Sequence, residues 1–193
     1  VRMKGVNLEG AELAGGTFTD ADLTESNLKG ADLSTSTLSG ASLRDAICEN
    51  ADFRAANLSN VDARRAQFVG ALLSGVNFEN ANLEGAHLNG LDFRTLPNLN
   101  SVSWRGAVLD QSLMMELNLD EVDFTLCSLR AVNLEEASLQ GTRFEEANLN
   151  QLQASKANLS GAWLRKADLR EANLRGANLS VVHFEGADHR EAD

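Results

Sequence analysis

The chain has 193 residues, enough for one domain or two small ones, and carries 28 Asp+Glu against 17 Lys+Arg, a net charge of -11. That balance argues against a nucleic-acid binder, which needs a basic footprint to displace counterions. With 43% hydrophobic and only 23% charged residues it is not a disordered acidic tail either.

From the N-terminus, Val1-Arg2-Met3-Lys4 runs straight into polar repeats with no apolar leader, and nowhere does an apolar run approach membrane-spanning length. The expectation is a cytoplasmic protein with no membrane contact. One Pro, no Tyr and 15 Gly point to a short unit copied many times. Its period is five. Large apolar centres fall at Met3, Leu8, Leu13, Phe18 and onward to Phe93, and again from Leu99, Trp104 and Leu109 to His189. Leu or Phe fills 31 of the 38 centres, and 14 of the 15 glycines sit two places after a centre, Gly16 being the exception. Sorting of this kind assigns each slot a physical role.

Five matches neither the 3.6 of a helix nor an unbroken two-residue strand alternation. The small residue two before the centre and the centre itself alternate, so both can face inward, as in a short strand. The remaining residues must then turn the chain. A slot that collects Gly is one where positive φ is needed, as in a type II turn. The Asn or Asp before each centre is suited to bonding a constantly turning backbone. One corner per block predicts a square coil of about four blocks, with coils stacked at about the 4.8 Å of paired strands.

These blocks, as in ANLSG AWLRK ADLRE ANLRG from Ala157, resemble the pentapeptide-repeat family, whose unit is A(D/N)LxG, over essentially the whole chain. The resemblance implies an all-β fold, a right-handed quadrilateral β-helix of about nine to ten coils. The match over the whole chain implies a single domain, 1–193, but such a fold does not fix an activity.

Several blocks depart from the pattern. Phe93 to Leu99 is six residues, so the register slips once within 94–98, which holds the only Pro. This reads as a bulge at a corner or as a hinge that a partner touches. Beyond it, residues on one face are spaced by 21 across the slip. Two centres are Ala: Ala154, with Leu152 in the small slot, exchanges large for small at constant volume, and Ala63 is compensated in part by Val61. Trp104, Phe124, Phe144, Leu164 and Phe184 should form one inward column. Cys48 and Cys127 are inward and about four coils apart, so they are buried thiols rather than a disulfide.

No catalytic constellation emerges. His87 and His183 occupy outward slots, and His189 replaces a terminal centre. The glycines mark corners rather than a phosphate loop. No cofactor or metal site is expected, and the carboxylates lie on a convex rod. The charge is uneven: Ala107 to Ala147 holds nine acids opposed only by Arg130 and Arg143, or -7 of the total, and is followed by Lys156, Arg165, Lys166, Arg170 and Arg175. The family includes DNA mimics that bind type II topoisomerases and give quinolone resistance, and that is the second functional reading. A mimic needs acid along most of its length, and here bases interrupt it. The leading expectation is therefore a structural or protein-interaction module whose partner protein the residues do not identify. End-to-end or face-packed self-association stays open, and so does a domain cut from a longer chain. The candidate contact lies after the slip, where Val108, Leu113, Met115 and Leu126 are apolar in outward slots. Glu116, Asp120 and Glu121 border them, and Leu72 shares the column of Leu113 two coils away.

Overall fold

A computed structural model describes residues 1–193. No continuous strand or sheet forms. The chain pairs instead through isolated parallel bridges, one per block, between residues 20 apart: Arg2 with Asp22, Asn7 with Asn27, Glu12 with Asp32, Thr17 with Thr37. Four columns of bridges result, and they define four faces of a solenoid. We number them by their first bridging residues: face I from Arg2, face II from Asn7, face III from Glu12, face IV from Thr17.

The repeat explains this geometry bond by bond. At Leu8 the centre N–H donates to Asn27 C=O one coil on at 2.7 Å, and Leu8 C=O closes the corner by accepting Ala11 N–H at 3.0 Å. Gly10 N–H reaches Lys29 C=O at 2.9 Å. The Asn or Asp before the centre accepts the N–H two residues later, as in Asp32 Oδ1 from Ser34 N–H at 2.9 Å and Asn57 Oδ1 from Ser59 N–H at 3.0 Å. This is the Asx turn that favours those residue types in that slot. Positive φ occurs at the second position after every centre except at Thr95 and Ser101, whether the residue is Gly or, as at Leu126 and Val181, a bulky one.

Inside, the small slot and the centre together form one contiguous core. Trp104, Phe124 and Phe144 form one inward column as expected, with ring centroids 6.0 and 5.6 Å apart, the first pair tilted and the second stacked. Leu164 below the next coil is buried, and Phe184 is partly so. Leu152 and Ala154 are both buried, as are Val61 and Ala63. Polar residues in the small slot donate back to the preceding coil: Ser112 Oγ to Leu88 C=O at 3.0 Å, Thr142 Oγ1 to Leu119 C=O at 2.9 Å, and Cys127 Sγ to Trp104 C=O at 3.0 Å. Ser26 Oγ is buried and finds no partner. Gly16 sits in the small slot because Phe18 fills the space: a Cβ there would lie 2.5 Å from the ring.

The slip is built differently from the arithmetic of the repeat. Counting back from Leu99 puts Pro97 in the inward slot, but Leu96 turns in and Pro97 is exposed. Asn98 takes a left-handed conformation, φ 57 and ψ 30, and Leu99–Ser101 form one turn of 3-10 helix, onto which Trp104 Nε1–H donates at Leu99 C=O, 3.2 Å. Pairing then resumes with a spacing of 21, as in His87 with Val108. The cost falls on three faces. Face III lacks the bridge between Leu72 and Asp92, face IV any bridge between Asn77 and Asn118, and face I the bridge between Ser103 and Asp123. Only face II carries an unbroken ladder, from Asn7 to Asp188.

Candidate functional site

The residues singled out after the slip all project outward, but not onto one surface. One coil is a circuit of the rod, so neighbours in sequence at this spacing lie on different faces. Leu72, Leu113 and Met115 share face III. Val108 is on face II, and Leu126 is at the corner between faces I and II. Of these, Leu72 and Leu126 are exposed at 48% and 47%, whereas Val108, Leu113 and Met115 are half-buried. Glu116 follows Met115 at the corner of faces III and IV. Asp120 lies on face IV and is tied down: its Oδ1 accepts Ser138 Oγ–H at 2.7 Å and Gln140 N–H at 2.8 Å. Glu121 is at the next corner. The structure thus brings together the face III group and separates it from Val108, Leu126, Asp120 and Glu121.

On face III the ladder opens between Leu72 and Asp92, one coil before Leu113 and Met115. Leu73 N–H does not reach Asp92 C=O, and Asp92 N–H does not reach Ala71 C=O, although the equivalent pairs are made in the coils on either side. A hollow of about 240 Å³ lies here, lined by Arg54, Leu72, Ser74, Asp92 and Thr95 among others. A larger, more polar one of about 520 Å³ lies on face IV beside Asn98 and Asn118. Backbone groups without a partner must be met by water or by a ligand. Asp92 and Arg94 form a two-point ion pair on the same face, at 2.9 and 2.7 Å, and Arg94 Nη1 lies 3.9 Å from Met115 Sδ.

That ion pair is one of a series. Asp52-Phe53-Arg54, Asp62-Ala63-Arg64, Asp168-Leu169-Arg170 and Asp188-His189-Arg190 repeat it, with the acid before and the arginine after a centre. In each, hydrogen bonding from the guanidinium holds the carboxylate below its ordinary range, for Asp188 at about 2. Carboxylates committed in this way are poor general bases. The two thiols are no better as nucleophiles: burial pushes Cys48 upward and Cys127 to about 12. No group of three or more His, Cys, Asp or Glu is gathered as metal ligands, and no helix is long and apolar enough to cross a membrane.

One outward residue was passed over in the sequence. All eight Phe are centres and Trp104 is buried, but Trp163 occupies the slot before a centre and is 44% exposed. The block AWLRK carries that signal: an aromatic where Asn or Asp is usual.

Comparison with known proteins agrees with this architecture. A model described as pentapeptide repeat region matches residues 97–174, and one described as pentapeptide repeats (8 copies) matches 2–40, 38–75 and 64–95. The chain is similar to HetL, a pentapeptide repeat protein involved in heterocyst differentiation regulation in the cyanobacterium Nostoc sp. strain PCC 7120. The TM-score is 0.58 at 26% identity, over 97% of this chain and 84% of that one. It is also similar in fold to QnrB1, a plasmid-mediated fluoroquinolone resistance protein, with a TM-score of 0.61 at 16% identity over 91% and 90% of the two chains. These neighbours imply a right-handed β-helix. No curated protein matches the chain in sequence.

Proposed function

The chain belongs to the pentapeptide-repeat family, and from that premise we propose that it is a non-enzymatic protein-interaction module, a right-handed quadrilateral β-helix of about nine to ten coils that offers rigid faces to a protein partner. The observation that carries this reading is the opening on face III. There the ladder loses its bonds beside exposed Leu72, and half-buried Leu113 and Met115 follow one coil beyond Asp92, on an otherwise polar face. Apolar side chains grouped beside unpaired backbone favour a protein surface as the ligand, because it supplies both burial and hydrogen bonds. Leu113→Asp should weaken capture of the partner in a pull-down while leaving the thermal midpoint nearly unchanged. A large loss of stability would instead make Leu113 part of the fold and remove this site.

A second reading, a duplex mimic acting on a type II topoisomerase, is favoured by the acidic window from Ala107 to Ala147. Lys156–Glu136 and Lys166–Glu146 pairs, at 2.7 and 3.5 Å, neutralise part of it. Inhibition of gyrase supercoiling, or drug protection, at low protein concentration would displace the interaction-module reading in its favour.

A further inference from the structure

We propose that the slot between Arg143 and Trp163 on face I is a docking point for an aromatic side chain of a protein partner. It is a site separate from face III and stands on its own geometry, while sharing the premise that the chain binds proteins. Arg143, Trp163 and His183 follow one another along the face I ladder, one coil apart. Uniform stacking would space their side chains by about 4.8 Å. Trp163 and His183 instead close to 3.9 Å between ring centroids, nearly parallel at 16°. The two rings lie closer than that spacing, and His183 covers one face of the indole. The other face is left toward Arg143, and a hollow of about 290 Å³ lies there, lined by Arg143, Glu145 and Trp163.

The far wall is fixed. Glu145 is only 9% exposed, yet it takes Arg143 Nη2–H at 3.0 Å and Thr125 Oγ1–H at 3.3 Å, so the guanidinium is held rather than free to swing into the space. The slot is therefore bounded by an indole face and an ion-paired guanidinium. Both surfaces stack on flat rings. Charge selects the guest. Arg143 and Glu145 pair with each other and Glu146 with Lys166, so an ionic guest would lose its water without meeting a free counter-charge. A neutral planar ring avoids that cost, and the hollow's size suits a side chain rather than a larger cofactor. A nucleobase has the right shape, but the net charge of -11 opposes the phosphates that would accompany it.

The test uses the full chain labelled with nitrogen-15 and N-acetyl-tyrosinamide as the probe. The Trp163 indole signal is assigned by its loss in Trp163→Phe, and the Arg143 Nε–H signal serves as the second reporter. Both should move saturably, with a midpoint on the order of millimolar, as expected for one side chain. N-acetyl-argininamide and N-acetyl-leucinamide should move neither at the same concentration. Arg143→Gln should raise the midpoint at least about threefold, the loss of roughly 0.7 kcal/mol of cation–π stacking, and Trp163→Leu should abolish the shift at Arg143. Absence of saturable movement overturns the proposal. So does an equal response to the leucine or arginine probe, which would make this a generic apolar or charged patch, and so does an unchanged midpoint in Arg143→Gln. The face III site is read by a different experiment, so either can fail alone.

Discussion

Leu152 and Ala154 test whether core volume is shared between the small slot and the centre. Both side chains are buried. In the same column, the coil before has Val132 and Leu134 and the coil after Ala172 and Leu174. Ala154 therefore leaves room between two leucines that Leu152 fills from the neighbouring slot. Leu152→Ala removes three methylene-sized groups at about 0.8 kcal/mol each and leaves a cavity, about 2–5 kcal/mol in all. Ala154→Leu adds the same volume to filled space, at a cost of about 1–3 kcal/mol. The double variant restores the usual order at nearly constant volume and should lose less than about 1.5 kcal/mol. Urea unfolding of the four proteins, followed by circular dichroism, gives the cycle. The midpoints are compared at a common slope, because a solenoid need not unfold in one step. A double variant as unstable as the sum of the two singles would refute the shared-volume argument.

The remaining expectations follow from the same geometry. Leu139→Ala, fully buried between coils, should cost about 2–5 kcal/mol, while Ser160→Ala on the outside should stay within about 0.5 kcal/mol by the same melts. Ser26→Ala removes an unpaired buried hydroxyl and should raise stability by about 1 kcal/mol, whereas Ser112→Ala removes a bonded one and should lower it by a similar amount. Cys48 and Cys127 should resist iodoacetamide at neutral pH in the folded protein and react on addition of denaturant, as peptide mass would show. The Arg-bonded aspartates have folded pKa values below their unfolded ones, so their contribution is present above about pH 4 and is lost as pH falls through the folded values. The thermal midpoint should therefore be flat from about pH 7 to 5 and fall between about pH 4 and 2, modestly, because these pairs are exposed.

Much of the fold was legible in the sequence because the period sorts residues by role. The inward slots, the Asx turns, the positive-φ corner, the aromatic column and the spacing of 21 across the slip all follow from it. The corner slot needed no glycine, however: Leu126, Val181 and Lys156 adopt the same φ, since the turn is imposed by the coils on either side. What the period could not supply was anything that depends on going around the rod. A run such as Val108 to Leu126 reads as one neighbourhood in the chain but wraps all four faces. At the slip, counting forward from Phe93 puts Leu96 inward and counting back from Leu99 puts Pro97 there; burial favours Leu96, and the resulting offset strips pairing from faces I, III and IV. The Asp–x–Arg pairs and Trp163 were visible in the letters; their meaning required knowing that both flanking slots point to the same side.

The central claim is that a protein partner sits on face III at the opening of the ladder. Photo-crosslinking tests it most directly, with benzoylphenylalanine placed singly at Leu72 or Leu113 and, as controls, at Asn82 on face I and Asn148 on face II, each in the full chain inside its native cell. The account predicts one and the same protein crosslinked from Leu72 and Leu113 and absent from the two control positions. Crosslinks to that protein from Asn82 or Asn148 with none from face III would contradict it.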